Sequence, residues 1–450
     1  MEKLNNYVLF LLALSVPFYE INHSILKYLL FQNIFPLLIL YYFVFAIVLK
    51  RKFITGKPGK LSIAVVLLFL TQVASGLFAF DTDLAIEKIY VEFQFTIIFL
   101  VVNGLIINND CYEYIVKGLL VGFVISCLIG ILQYLGFKQF NIFTTAELNA
   151  NAGLVSESRS LLVRIWGPFG NSLTFSEYLA VVGLALYSYY RFIKKNRVIA
   201  FGLIAVAFFC IALTVGRIAL FSAGFSFLLI EYLYAKGTSY ARGFSIVIAF
   251  FAIGLIGFML LSPGIQDNGN PLITRFSNAS QDLKEGRLNL WVKGFAAFSK
   301  NIFLGVGPGN LHLALSSEGF PMTSAVIAQF DGQHVENYYL TILYTYGIIG
   351  FYFCLRIFYF LVKYSYRLFI RLKEKSIELA WGGIMYGGII ALIICNITNP
   401  ALIFEQRIKM LFIILIAVVN NSFLSVDRKA FFERGKLFVN PFRKKAVKIS

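Results

Sequence analysis

Apolar residues fall in long blocks separated by short polar stretches, and that pattern predicts a row of membrane-crossing helices. The blocks run near 7–20, 28–49, 61–80, 90–107, 114–136, 174–191, 198–215, 218–235, 243–262, 338–362, 379–396 and 409–425. Most are about twenty residues long, the length that carries a helix across a hydrocarbon core. Lipid offers no partner to backbone N–H and C=O groups, so such blocks must be helical. The short alternating segments of a membrane β-barrel are missing from the sequence. The prediction is an all-α integral membrane protein with about 12 transmembrane helices. Residues 1–262 hold helices one to nine, 263–337 form a large polar loop, 338–425 hold the last three helices, and 426–450 form a basic tail. The first block, Tyr7 to Tyr19, lacks a small-residue cleavage pattern and is expected to be a span, not a removed signal.

Charge orients the row. More than half of the 40 lysines and arginines lie in the stretches 50–60, 191–197, 236–242 and 363–375 and in the tail. The alternate loop 81–89 carries Asp81, Asp83 and Glu87 against Lys88. By the positive-inside rule the basic side is cytoplasmic, with both termini on it. The loops 137–173 and 263–337 and the turn at Gly216–Arg217 are then extracytoplasmic. Long loops in compact proteins usually carry function.

Composition sharpens this picture at two points. The chain is 59% apolar and 14% charged, with mean hydropathy +0.76, whereas soluble domains average about a quarter charged. Its net charge of +17 suggests nucleic acid, but the basic residues cluster in short loops and the tail, which fits a membrane protein and no nucleic-acid partner. Five cysteines form no disulfide framework: Cys127, Cys210, Cys354 and Cys395 fall in apolar spans and Cys111 at a helix boundary.

Candidate chemistry gathers on the outer side. Arg217 lies in Thr214-Val-Gly-Arg217, between two apolar runs, where an arginine either snorkels to headgroups or serves a site. Arg164 opens Arg164-Ile-Trp-Gly-Pro-Phe-Gly-Asn171, a glycine- and proline-bent entry to a span. In the large loop, Glu285-Gly-Arg287 precedes Trp291, Phe295 and Phe298, whose spacing predicts an interfacial helix with aromatics toward lipid. Next comes Phe303-Leu-Gly305-Val-Gly307-Pro-Gly309-Asn310, without the Lys-Ser/Thr of a P-loop. It reads as a flexible turn or as backbone that approaches a phosphate closely. The loop closes on His334-Val-Glu336-Asn337 at the mouth of a span, each of His334 and Glu336 being a base or a solvated polar residue. The three histidines are scattered, with no HExxH and no cysteine pair, so neither metal nor cofactor is expected. Arginine forks bind phosphate oxygens in pairs and stay charged. Three of them beside a base suit a lipid diphosphate leaving group and an attacking hydroxyl.

These motifs resemble the O-antigen ligase and polymerase superfamily, membrane enzymes that move glycans from undecaprenyl diphosphate to an acceptor outside the cytoplasmic membrane. Gly286-Arg287-x3-Trp291 with Phe303 to Asn310 looks like the family's loop signature. Glu336-Asn337, nine residues, then Gly347-Ile-Ile-Gly350 is similar to its later signature, His-Asn, nine residues, Gly-x-x-Gly. The resemblance implies a GT-C-like glycosyltransferase of the bacterial inner membrane. It implies that Arg164, Arg217 and Arg287 line the diphosphate site, supported by Gly305, Gly307, Gly309 and Asn337. Position 336 matches the family's histidine, proposed to activate the acceptor hydroxyl; here it is Glu336, with His334 two residues earlier. An acidic residue before the asparagine is similar to polysaccharide polymerases. The partners implied are an undecaprenyl-diphosphate-linked oligosaccharide, a glycan acceptor, the bilayer and a chain-length regulator protein. A Wzy-type polymerase is the leading expectation, a ligase to lipid A–core the alternative. A flippase is the rival of another class, but transporters of this size usually show paired halves, and none is evident here.

Overall fold

The computed structural model of the chain describes residues 2–19, 34–48, 59–137, 139–140, 164–235, 288–316, 337–373 and 381–439. Among the described residues the regular elements are all helical, with no strand. The helices are α1 (Glu2–Ser15), α2 (Ile34–Val48), α3 (Lys60–Leu77), α4 (Thr82–Leu105), α5 (Asn109–Tyr134), α6 (Ser172–Ser188) and α7 (Arg197–Thr214). They continue as α8 (Arg217–Ala235), α9 (Leu288–Lys300), α10 (Leu311–Ser316), α11 (Tyr338–Lys373), α12 (Tyr386–Cys395), α13 (Ala401–Phe404) and α14 (Gln406–Val439).

Each expected span that falls on described residues meets a helix; the one at 243–262 lies outside them. By length and composition, 6 described helices can cross a membrane: α3, α5, α7, α8, α11 and α14. The others fall short for local reasons. Helix α1 has 14 residues, about 21 Å of helix, because Pro17 turns the chain into a short 3-10 segment. Helix α4 carries Glu87, Lys88 and Glu92 in its first half, and α12 is entered through a 3-10 turn at Trp381–Met385.

Short polar residues start the helices. The side chains of Asp81, Asn108, Asn171 and Asn196 accept bonds from the first-turn N–H groups of α4, α5, α6 and α7. Each satisfies donors that apolar surroundings would leave bare. Between α7 and α8 the chain turns on Val215, held left-handed at φ 57°, a rare state for a β-branched residue.

Hydrogen bonds between distant segments define two ends of the bundle. At one end Asn5 Nδ2 donates to Leu105 O (2.7 Å), Lys194 pairs with Glu113 (3.1 Å), Arg191 with Glu231 (3.2 Å), and Gly382 N donates to Ser422 Oγ (3.0 Å). At the other, Asp81 N donates to Asn310 Oδ1 (2.7 Å), Arg407 Nη1 to Pro168 O (2.8 Å) and Tyr338 N to Asn396 O (3.0 Å). Among the described residues, α4, α5, α6, α7 and α8 therefore alternate in direction. Between the ends lies one aromatic-rich core with Phe99, Phe123, Phe175, Tyr178 and Tyr187 fully buried.

Candidate functional site

The end that carries Arg407 and Tyr338 also carries Arg164, Arg217 and Asn337. Arg164 is half-buried, and its Nε lies inside the protein with no hydrogen-bond partner. The segment behind it is fixed from two sides. Gln133, on the last turn of α5, accepts from Trp166 N (3.1 Å) and Gly167 N (2.9 Å) and donates to Gly167 O (3.0 Å). Arg407 takes the next carbonyl, Pro168 O, and stacks its guanidinium 5.2 Å over the Phe169 ring. One buried amide and one buried guanidinium thus hold the bend, a short 3-10 turn at Gly167–Phe169. The bend sets where Arg164 emerges.

Arg217 is the first residue of α8 and is also half-buried. Its segment joins that of Arg164: Ile165 N donates to Leu213 O (3.4 Å). A Cβ on Gly216 would lie 2.6 Å from Ser176 Oγ, so the first turn of α6 closes directly on that turn.

Asn337 heads α11. Its side chain accepts from Leu340 N (3.0 Å) and its carbonyl accepts from Thr341 N (2.9 Å) and Thr341 Oγ1 (2.7 Å). It is a helix cap, which gives a structural reason for asparagine at that place in the motif. Glu336, His334 and Arg287 lie outside the described residues. Glu336 directly precedes the cap of α11, and Arg287 directly precedes α9.

The glycines of the large loop do let backbone approach closely, but what they approach is α11. Helix α11 is broken at Gly347, with φ 64° and ψ −169°. The break frees carbonyls on one side and N–H groups on the other, and residues 302–307 satisfy both. Val306 N donates to Tyr344 O (2.8 Å) and Gly307 N to Thr345 O (3.1 Å). Ile348 N donates to Ile302 O (2.8 Å) and Ile349 N to Phe303 O (3.4 Å). Ser75 Oγ adds a bond to Thr345 O (2.8 Å). A Cβ on Gly305 would sit 2.3 Å from Thr345 O, and one on Gly347 2.2 Å from Phe303 O. The two glycine motifs are halves of one splice. Gly307 and Gly309 continue the loop toward α4, where the fully buried Asn310 grips both main-chain groups of Asp81 (2.7 and 3.1 Å).

Gly347→Ala is therefore expected to lower the melting temperature of the purified protein by several degrees. The backbone region alone costs roughly 1–3 kcal/mol for a residue with a Cβ, and the collision with Phe303 adds to it. Gly202→Ala, in α7 with nothing within 4 Å of the added Cβ, should be neutral or mildly stabilising. Equal melting of both variants would show that the splice does not hold the loop.

The expected interfacial helix forms as α9, but its aromatics divide. Trp291 and Phe298 pack on a small core with Val306, Leu311 and Tyr344, while Phe295 stays 56% exposed beside exposed Val292, Ile302 and Phe303. The break in α11 needs a covered partner, and the inward face of α9 supplies part of that cover.

Several residues at this end escaped sequence reasoning: Gln133, Glu177, Asn399, Glu405 and Arg407. The signal was present for Glu177 and Arg407, because ionisable residues in or beside an apolar span are rarely idle. Lys409, paired with Glu92 in a cavity of about 90 Å³ between α3, α4, α11 and α14, belongs with them. Among the described residues no three His, Cys, Asp or Glu side chains group as metal ligands do.

Residues 171–355 match a family model described as O-Antigen ligase. The match includes Arg217, Arg287, Glu336, Asn337 and both glycine motifs, and it begins just after Arg164 and the bend. No curated protein matches the chain.

Proposed function

We propose, from the match of residues 171–355 to a family model described as O-Antigen ligase, that the chain is a Wzy-type polymerase. The donor is a glycan on undecaprenyl diphosphate and the acceptor a sugar hydroxyl of another lipid-linked repeat unit. Members of the family are glycosyltransferase-like enzymes acting on lipid-linked glycans in a membrane, and the apolar helices suit that setting. One observation carries the reading furthest. Segments bearing Arg164 and Arg217 are hydrogen-bonded together at the bundle end where Asn337, the residue after Glu336, caps α11.

The chemistry follows from those residues. Arg164, Arg217 and Arg287 hold the diphosphate oxygens, and Glu336 takes the proton of the acceptor hydroxyl. That oxygen bonds to the anomeric carbon while the bond from this carbon to the diphosphate oxygen breaks. The electron pair leaves on the polyprenyl diphosphate, whose charge the guanidinium forks stabilise without need of a metal. The site faces the extracytoplasmic side of a bacterial inner membrane, with both termini cytoplasmic and about 12 spans in a GT-C-like arrangement. A chain-length regulator is the expected protein partner.

Ligase activity is the second reading, favoured by the description of the matched family. Deleting the chain and resolving the surface glycan on a gel separates the two. A single repeat unit on the acceptor is the polymerase result. Full-length polymer left on the lipid carrier is the ligase result and overturns the first reading.

A further inference from the structure

Glu177 is the buried ionisable group that the fold leaves least explained. It lies in the second turn of α6, inside an expected span, and is 1% exposed. Its Oε1 accepts from Asn399 Nδ2 at 2.9 Å; its Oε2 is buried and accepts from nothing. The nearby guanidinium of Arg407 is engaged by Pro168 O and by Glu405 at 3.7 Å. A buried carboxyl oxygen without a partner costs stability, and an ionisable group in a span is by default a working one.

Its surroundings say for what. Neighbouring Ser176 closes on Gly216, next to Arg217. Asn399 lies just beyond Asn396, whose carbonyl accepts from Tyr338 N at the head of α11. Ser222 of α8 meets Cys395 at the end of α12, 3.0 Å apart. Glu177 thus sits where the segments carrying Arg164 and Arg217 meet the head of α11. At the same end of the bundle two other buried donors, Arg164 Nε and Trp166 Nε1, are also unpartnered. Open donors and an open acceptor together describe a polar ligand. A carboxyl oxygen accepts from a neutral donor in either protonation state, and a sugar hydroxyl is such a donor.

We propose that Glu177 is a substrate-binding residue of this site, its open Oε2 accepting a hydrogen bond from a hydroxyl of the glycan. The assignment rests on the glycosyltransferase reading and adds to it the group that grips the sugar where arginines grip the diphosphate.

Glu177→Gln is the informative variant. The amide keeps the shape and the acceptor for Asn399, and it replaces only the open oxygen by a donor. The probe is the repeat-unit oligosaccharide released by mild acid from lipid-linked repeats of cells lacking the chain. Its binding is titrated against the full-length protein in lipid nanodiscs, with the melting temperature measured beside it. Wild type should bind, and Glu177→Gln should bind roughly tenfold more weakly, about the worth of one hydrogen bond, with melting unchanged. Equal binding by the two overturns the assignment, as does binding by neither. A loss that tracks a lowered melting temperature overturns it too, since Glu177 would then be structural. Glycan transfer from the intact lipid-linked repeats, followed in the same discs, reports on the function separately. A protein that transfers while Glu177→Gln binds equally well keeps the function and loses the carboxyl.

Discussion

Replacing Arg164, Arg217 or Arg287 by alanine is expected to lower glycan polymerisation on the order of a hundredfold or more at each position, the usual cost of one charge-stabilising donor at a reacting centre. The protein should still insert, because the bend before α6 is held by Gln133 and Arg407, not by Arg164. Lysine should rescue poorly. An ammonium restores charge but not the two parallel donors that match a phosphate. Arg356→Ala is the control: this exposed arginine bonds Tyr352 one turn away, and its loss should leave activity within about twofold, as surface pairs contribute little. Polymer yield on a gel, with protein levels matched by immunoblot, checks the set. Full activity of all three lysine variants would contradict paired binding of the diphosphate.

Glu336→Gln is expected to abolish most activity, and His334→Ala to leave a substantial part. The motif register favours Glu336: it stands directly before Asn337, the cap of α11, nine residues ahead of Gly347. Ordinary acidity favours histidine, at about 6.5 against about 4.3 for glutamate, because a base works best near the operating pH. Two residues apart, the side chains point about 200° apart on a helix and to one side of an extended strand. They share one role only if the chain is extended there. Polymer yield of the two variants decides. The reverse order would assign the base to His334.

The helices were legible because their information is local. A run of twenty apolar residues between charged loops specifies a span by itself, and the asparagines and aspartate that cap α4 to α7 mark the starts. Sequence overreached at Pro17, which cuts α1 short, and at the aromatics of α9, where periodicity gave the face but not what it meets. The glycine splice was not legible: it depends on residues 302–307 lying along residues 344–349, a register between segments some forty positions apart. Glu177 and Arg407 showed as charges near spans, yet their partners Asn399 and Pro168 lie more than 200 residues away. The candidate arginines and the glycines stood out by motif; Gln133 and Arg407, which hold the bend behind Arg164, did not.

The most direct measurement of the central claim uses the purified protein in lipid vesicles, supplied only with lipid-linked repeat units from cells that lack it. A ladder of lengthening glycan, still attached to polyprenyl diphosphate and lost in Arg217→Ala, is the result expected of a polymerase. Repeat units returned unchanged, with or without an added lipid A–core acceptor, would contradict glycan transfer by this chain.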